Sequence, residues 1–245
     1  MTLDGWPRWI AHRGAGKLAP ENTLAAFRVG AQHGYRAFEC DVKLSRDGVP
    51  FLLHDARLER TTSGHGKAGA QSWDELSRLD AGGWHSRLYA GEPMPRFAAV
   101  AHWCLRSGFA LNVEIKPNPG QASETGGVVG QAAARLWAGE RLPPLLSSFE
   151  PAALQAARDA APALPRALLL DALPDGWFES AQALGCSAVV TAHALMDGSV
   201  ITRLHRAGMR AMVYTVNDAA DAARLLALGI DAIITDAIDR FAPAA

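Results

Sequence analysis

The sequence predicts a TIM (β/α)₈ barrel, and three observations support that fold class. Short apolar or β-branched runs alternate with Ala- and Leu-rich amphipathic segments, which is typical of parallel strands joined by helices. The chain has 245 residues, close to the roughly 250 that such a barrel normally takes. The alternative is an open doubly wound sheet. Its Gly-x-Gly-x-x-Gly fingerprint is absent after the first predicted strand, where Gly14-Ala-Gly16 is followed by Lys-Leu-Ala.

Nine strands are predicted from short runs of apolar and β-branched residues. Eight strand–helix units result if the second and third runs form one bent strand or a strand pair. The predicted strands cover residues 8–11, 37–42, 49–53, 110–115, 145–149, 167–170, 188–191, 211–216 and 232–235.

Eight helices are predicted from the amphipathic segments. Asn22-Thr23 precedes one apolar-periodic segment and Asp218 precedes another, and these are typical helix N-caps. Glycines close to several predicted helix ends are ordinary helix stops, so they carry no functional weight. The predicted helices cover residues 21–32, 73–79, 97–106, 128–139, 151–160, 177–184, 199–206 and 219–228.

One segment interrupts this alternation, and we expect it to be an insertion within a single domain over residues 1–245. Residues 56–96 are rich in glycine, serine and charged side chains, and they include Ser63-Gly-His-Gly66 and Gly82-Gly83. A single excursion of this kind after the second barrel strand is typical of a small subdomain or a lid over the active face. The insertion is also a candidate contact for a homodimer.

The composition narrows the class of protein. With 49% hydrophobic and 20% charged residues the chain is an ordinary globular protein, and its net charge of −1 makes a nucleic-acid or anionic-membrane partner unexpected. Cys40, Cys104 and Cys186 are too far apart for a zinc or disulfide pattern, so we expect them in the core. The amino-terminal residues lack the apolar stretch of a signal peptide, and no run is long enough to span a membrane. We therefore expect a cytoplasmic protein without stable membrane association.

Three carboxylates are candidate metal ligands. Glu39 and Asp41 are two apart in a predicted strand and therefore point to the same side, where both would repel each other unless a cation lies between them. Alone, the pair is equally compatible with a strand end exposed to water. Glu114, in Asn112-Val-Glu-Ile-Lys116, favours a metal site because it adds a third acid on a neighbouring strand. Oxygen ligands of this kind suit Mg²⁺ or Ca²⁺, whereas zinc prefers histidine or thiolate.

Two histidines are candidate acid and base. His12 and His54 each follow an apolar strand run, so both should reach the carboxyl end of the barrel, although a single histidine is more often structural. Two imidazoles there can share general acid and base catalysis, which is typically worth about 10²–10⁴ in rate. Asp55 either orients an imidazole or caps the next turn, and the cap is slightly favoured. We expect surface or packing roles for His33, His65, His102 and His205.

Arg13 and Lys116 place positive charge beside the predicted carboxylates. In a purely structural role they would neutralise those acids in an ion-pair network. In a functional role they would hold a phosphate, with arginine making a bidentate contact. Together with a cation, they match the charges that a phosphoryl-transfer transition state requires.

An ordered set of motifs across nearly the whole chain resembles the glycerophosphodiester phosphodiesterase family. Residues 19–24, 145–149 and 213–217 resemble in particular the bacterial cytosolic enzyme linked to glycerol-phosphate uptake. Single motifs of this kind are weak, but their order makes the resemblance specific. The motifs are His12-Arg-Gly14, Pro20-Glu-Asn-Thr23, Glu39-x-Asp41, His54-Asp55, Glu114-Ile-Lys116, Thr215-Val-Asn217 and Ile234-Thr-Asp236.

The resemblance implies a TIM barrel with a small insertion after the second strand. It implies metal ligands at Glu39, Asp41 and Glu114 and an acid–base pair at His12 and His54. It also implies that Arg13 and Lys116 lie near the phosphate, while Glu21 and Asn22 support the site locally. Many family members have tryptophan where Tyr214 stands, in the pocket wall, so the preference for the alcohol group is open.

The predicted function is metal-dependent hydrolysis of small-molecule glycerophosphodiesters to sn-glycerol 3-phosphate and an alcohol. We favour His12 as base and His54 as acid. One alternative is a phospholipase-D-like or phosphoinositide-type lipase on the same barrel. It would need a membrane-docking apolar rim, and the basic or aromatic surface helix expected of an interfacial enzyme is not evident. Another is a barrel that only binds phosphate, which should have lost a histidine or a carboxylate. All of these residues are present.

Overall fold

The computed structural model describes Leu3, residues 5–241 and Pro243, and its central feature is a closed β-barrel. Among these residues, nine strands form one sheet whose first strand also pairs with its second, which closes the barrel. Eight strands pair in parallel, and β3 pairs antiparallel with β2. The predicted barrel is therefore confirmed, and the second and third runs form a strand pair. The strands are β1 Trp9–Ala11, β2 Ala37–Leu44, β3 Pro50–Leu52, β4 Ala110–Ile115, β5 Leu145–Ser148, β6 Arg166–Leu170, β7 Ala188–Ala192, β8 Arg210–Tyr214 and β9 Ala232–Thr235.

Helices alternate with the strands around the barrel. Within the described range, α1 follows β1, α3 follows the β2–β3 pair, and α4 to α8 follow β4 to β8 in turn, while α2 lies in the insertion. The helices are α1 Leu24–Gln32, α2 Trp73–Leu76, α3 Phe97–Ser107, α4 Ala122–Leu136, α5 Pro151–Ala160, α6 Trp177–Ala183, α7 Gly198–Arg206 and α8 Ala219–Ala227.

Two helices begin three or more residues away from their predicted starts, for identifiable reasons. The first helix begins at Leu24 instead of residue 21, because Thr23 is its extended N-cap and accepts a hydrogen bond from the Ala26 amide at 3.2 Å. The fourth begins at Ala122, six residues before the predicted start at residue 128. Its early turns contain Gly126, where a Cβ would come within 2.1 Å of the Ala153 carbonyl oxygen. Glycine there lets α4 and α5 pack closely, so it does not mark a loop.

The barrel interior is apolar at the amino ends of the strands and polar at their carboxyl ends. Leu3 and Trp6 join the apolar layer, which comes mainly from the first residues of the strands. The outward side chains of the strands pack against the surrounding helices. Alternation along β2 and β4 therefore leaves Glu39, Asp41 and Glu114 facing inward near one end.

The insertion has a small apolar cluster of its own. Phe51 and Leu53 of the β3 region pack there with Leu58, Leu76 and other buried residues of the segment that leads to α3. Ser72 and Glu75 form a capping box that fixes the start of α2. This ordered packing holds the insertion against the strand pair and sets the position of the loop after His54.

The three cysteines lie in the protein core. Cys40, Cys104 and Cys186 are buried and free, as expected for small core residues. Burial raises the pKa of the Cys186 thiol to about 11, so it stays protonated at neutral pH. Across the described ranges, no helix combines the length and apolar character that crossing a membrane requires.

Candidate active site

Three carboxylates meet at the carboxyl end of the barrel. Glu39 and Asp41 lie on β2, and Asp41 pairs in register with Glu114 on β4. One oxygen of each lies within 4.8 Å of one oxygen of the others. The exposed fractions are 2% for Glu39, 1% for Asp41 and 9% for Glu114, so the alternative of a strand end open to water does not apply.

The protein alone does not balance the charge of these acids. Burial and the charge of Asp41 raise the pKa of Glu39 to about 8, and the same two causes raise the pKa of Glu114. Burial also opposes ionisation of Asp41, but the charges of Arg13 and Lys116 outweigh it and hold its pKa at about 2. The crowded negative charge is therefore only partly neutralised.

A hard cation fits this cluster. Glu39 Oε1 is buried and finds no hydrogen-bond partner among the described residues, which is costly for a carboxylate. The donor set consists of three carboxylates, which suits Mg²⁺ or Ca²⁺ coordination by oxygen. The nearest imidazole nitrogen, Nε2 of His12, lies 3.8 Å from Glu39 Oε2, so a histidine borders the cluster.

Arg13 and Lys116 flank the acids. The Arg13 Nε atom lies 3.3 Å from Asp41 Oδ2, and Nη1 donates to Glu21 Oε1 at 2.8 Å. The Lys116 ammonium donates to Glu114 Oε1 at 2.8 Å and lies 3.5 Å from Asp41 Oδ1. Both positively charged side chains therefore contact the carboxylates directly. Both also line a cavity together with Glu39 and Glu114.

The loop after β1 adopts an unusual backbone at two of these positions. Arg13 has φ 49° and Asn22 has φ 59°, a left-handed conformation that costs a non-glycine residue about 1–3 kcal/mol. The turn at Arg13 lets its amide donate to Glu39 Oε2 at 2.9 Å. Asn22 Nδ2 donates to Asp41 Oδ2 at 2.7 Å, and its Oδ1 accepts from the Asp41 amide at 3.1 Å. The strained loop thus fixes both β2 acids.

Each candidate histidine is oriented by a carboxylate. Nδ1 of His12 donates to Asp236 Oδ1 at 2.6 Å, and Nδ1 of His54 donates to Asp55 Oδ1 at 2.7 Å. These bonds leave Nε2 of each ring available to the cavity. The interpretation of Asp55 as a cap is therefore wrong, because its oxygens accept hydrogen bonds from His54 and Arg60.

The two imidazoles differ electrostatically. Burial lowers the pKa of His12, but the hydrogen bond to Asp236 and the charge of Glu39 outweigh it, so this pKa lies above its usual value. Burial dominates at His54 and holds its pKa below the usual value. Without a bound cation, these directions favour a protonated His12 and a neutral His54, which is the reverse of the acid and base roles favoured from the sequence.

Sequence reasoning missed the role of Asp236 and its neighbour Asn217, which appeared only as parts of motifs. Asn217 Nδ2 donates to Asp236 Oδ2 at 3.1 Å, and its Oδ1 accepts from the Asp236 amide at 2.8 Å. In a closed barrel β9 must lie beside β1, so an aspartate after the last strand is close to a histidine after the first. That relation is the signal that could have identified Asp236.

A cavity of about 210 Å³ joins these groups. Tyr214 lies in its wall, stands edge-on to Phe149 with ring centroids 5.7 Å apart, and donates to the Leu170 carbonyl at 3.3 Å. Asn112 is a further buried polar residue there, and its Oδ1 accepts from Ser147 at 2.8 Å. The cavity is lined by His12, Arg13, Glu39, His54, Asn112, Glu114, Lys116, Phe149, Tyr214, Thr215 and Ile234. Of the candidate residues, Asp41, Glu21 and Asn22 are not part of this lining.

Comparison with known proteins identifies the group to which this arrangement is similar. Residues 12–240 match the family described as the glycerophosphoryl diester phosphodiesterase family. The chain is 31% identical over 234 residues to the Bacillus subtilis protein YhdW, covering 93% of both. It is 30% identical over 232 residues to a glycerophosphodiester phosphodiesterase of Caldanaerobacter subterraneus, again covering 93% of both. A solved Oleispira antarctica phosphodiesterase, in complex with the product sn-glycerol-3-phosphate, superposes with a TM-score of 0.89 at 33% identity and covers 96% of this chain and 95% of that one.

Proposed function

This chain belongs to the glycerophosphoryl diester phosphodiesterase family, and from that premise we propose that it hydrolyses glycerophosphodiesters to sn-glycerol 3-phosphate and an alcohol. One observation carries the proposal: two oriented imidazoles, the positively charged side chains of Arg13 and Lys116, and a carboxylate cluster border a single cavity. The Oleispira relative, solved with sn-glycerol-3-phosphate as its product, supports the same product here. The cavity volume of about 210 Å³ suits a small phosphodiester substrate.

The three carboxylates would hold one divalent cation, Mg²⁺ or Ca²⁺, for which the unpartnered Glu39 oxygen is supporting evidence. When bound, it would supply Lewis-acid charge to the phosphate oxygens and cancel the negative charge of the acids. Arg13 lines the cavity, so its guanidinium would lie close to a phosphate bound there. Lys116, which directly follows β4, would supply a second positive charge beside Glu114.

The two histidines would transfer the protons. Nε2 of His12 would take a proton from the nucleophile as the new P–O bond forms. Attack by water gives sn-glycerol 3-phosphate directly, whereas attack by the glycerol 2-hydroxyl group gives a cyclic phosphate that a water molecule must then open. Nε2 of His54 would give a proton to the alcohol oxygen as the old P–O bond breaks. The charge of Glu39 raises the pKa of His12, so a cation that cancels this charge would make His12 easier to deprotonate, as a base requires. Burial lowers the pKa of His54, so the negative charge of the substrate phosphate would be needed to keep this ring protonated as the acid. Asp236 and Asp55 keep both rings in the orientation that these transfers need.

The remaining candidates would shape the site. Asn22 holds Asp41 by two hydrogen bonds, and Glu21 anchors Arg13. Tyr214 would contact the substrate from the pocket wall, with its hydroxyl tied to a backbone carbonyl. In this proposal these three residues position the reacting groups. The two histidines transfer protons, and Arg13, Lys116 and the divalent cation bind the phosphate.

Hydrolysis of glycerophosphocholine, followed by ³¹P NMR, tests the proposal. We expect the phosphodiester signal to be replaced by that of sn-glycerol 3-phosphate in Mg²⁺ or Ca²⁺. Excess EDTA should stop the reaction and renewed cation should restore it, because the carboxylate cluster is incompletely neutralised without a cation. Vesicles of phosphatidylcholine serve as the control for a lipase and should not be hydrolysed.

Three results would contradict this account in different ways. Full activity in EDTA would exclude a requirement for a divalent cation. Faster turnover of the vesicles than of glycerophosphocholine would favour the phospholipase alternative. Binding of glycerophosphocholine without turnover, by the parent and by His54→Ala alike, would favour a barrel that only binds phosphate.

A further inference from the structure

Arg60 makes an unusual set of contacts for a residue outside the barrel. It lies in the segment after β3, and its guanidinium contacts two different carboxylates. Nη1 and Nη2 donate to the two oxygens of Glu21 at 2.7 and 2.8 Å. Nε and Nη2 donate to the two oxygens of Asp55 at 2.6 and 3.0 Å. One side chain therefore makes two bidentate contacts along two edges of its planar guanidinium.

The two carboxylates lead to different parts of the candidate active site. Glu21 also accepts a hydrogen bond from Arg13 at 2.8 Å, so this branch reaches the group assigned to phosphate binding. Asp55 accepts from Nδ1 of His54 at 2.7 Å, so the other branch reaches a group assigned to proton transfer. Within the described residues, these hydrogen bonds join the loop after β1 to the loop after β3 through Arg60.

The contacts of Arg60 differ from those of a simple surface ion pair, because one of its partners is largely buried. Arg60 is 44% exposed, but the Glu21 side chain is only 13% exposed. Isolated exposed pairs contribute little, whereas bidentate contacts and networks hold geometry. Arg57, three residues earlier, shows the contrast, because it pairs with the exposed Glu59 and none of its contacts reaches His54 or Arg13.

We propose that Arg60 is a positioning residue that holds the Asp55–His54 pair and the Glu21–Arg13 pair in one fixed arrangement. The inference rests on the proposed function only for its kinetic consequence. The geometric part is independent, since it concerns the orientation and electrostatic environment of the His54 ring. The other charged groups that act on His54 are Asp41, Arg13 and Lys116, in addition to Asp55.

Arg60→Gln tests the kinetic part. We expect kcat for glycerophosphocholine to fall about 10–100-fold, the range typical of groups that orient active-site residues. Arg60→Lys should recover part of the loss, because an ammonium can hold one carboxylate but cannot make both bidentate contacts. Arg57→Gln is the matched control on the same segment, and it should stay within about twofold of the parent.

NMR titration of the His54 imidazole tests the geometric part without any substrate. Removing the Arg60 charge and its donors leaves Asp55 free to interact more strongly with His54, so Arg60→Gln should raise the pKa of His54 by about half a unit or more. Arg57→Gln should leave it unchanged. After Asp55→Asn, adding Arg60→Gln should have little further effect, because the action of Arg60 passes through Asp55.

The outcomes separate the inference from the function. An unchanged His54 pKa in Arg60→Gln, with kcat equal to that of Arg57→Gln, would overturn the positioning role. A lower melting temperature with unchanged kcat and pKa would also overturn it, because Arg60 would then only stabilise the loop. If Arg60→Gln does not fold, Arg60→Lys carries the same test. A parent that hydrolyses no glycerophosphodiester would defeat the proposed function, while the His54 titration would still decide the role of Arg60.

Discussion

His54→Gln is expected to lower turnover of glycerophosphocholine by about 10²–10⁴-fold, yet to cost far less with the p-nitrophenyl ester of glycerol 3-phosphate. The reason is the role proposed for His54. Choline departs as a poor leaving group and needs a proton at the breaking P–O bond. p-Nitrophenolate departs as a stable anion and does not need that proton. Steady-state kinetics on both substrates give the comparison directly.

His12→Gln is the matched variant for this experiment. It should lose a similar factor with both substrates, because activation of the nucleophile is needed whatever group leaves. If His12→Gln, and not His54→Gln, keeps most of its activity on the p-nitrophenyl ester, the two roles are exchanged. If neither substitution lowers turnover on glycerophosphocholine, the imidazole pair is not the acid–base pair.

Glu39→Gln is expected to lower activity by at least about 100-fold and, without a cation, to make the folded protein more stable at alkaline pH. Burial and the charge of Asp41 raise the pKa of Glu39 from 4.5 to about 8 in the folded state. A raised acid contributes stability that is fully present below its unfolded pKa and is lost as the pH rises toward the folded value. Glutamine does not titrate, so the variant should escape that loss.

Melting temperatures in EDTA between pH 5 and pH 9 measure this effect. We expect the parent to fall relative to Glu39→Gln as the pH rises, by about a few degrees at pH 8. Mg²⁺ should stabilise the parent more than the variant, since the variant has lost one proposed ligand. Glu140→Gln, at an exposed carboxylate in the loop after α4, is the control and should follow the parent throughout. A pH-independent difference between the parent and Glu39→Gln would show that crowding of the acids is not the cause.

Local periodicity and strand order explain what the sequence could predict. Side chains two positions apart on one strand point to the same face of the sheet, so Glu39 and Asp41 had to share a face. Glu114 follows because β2 and β4 are neighbours and Asp41 pairs with Glu114 in register. The barrel with its insertion and the family membership follow from patterns that extend along the whole chain.

Contacts between distant or irregular segments could not be predicted in the same way. His12 and Asp236 are 224 positions apart and meet only because the barrel closes. The left-handed backbone at Arg13 and Asn22 has no signature in composition. Arg60 lies in an aperiodic loop, so its four hydrogen bonds depend on a conformation that no periodic pattern encodes.

Anomalous diffraction from a crystal grown with Mn²⁺ and sn-glycerol 3-phosphate would test the central claim most directly, because carboxylate oxygens also suit this ion. We expect one strong manganese peak about 2.0–2.6 Å from an oxygen of each of Glu39, Asp41 and Glu114. The phosphate should lie against that peak, between the rings of His12 and His54. A manganese ion bound elsewhere, or held by imidazole nitrogens without Glu114, would contradict it.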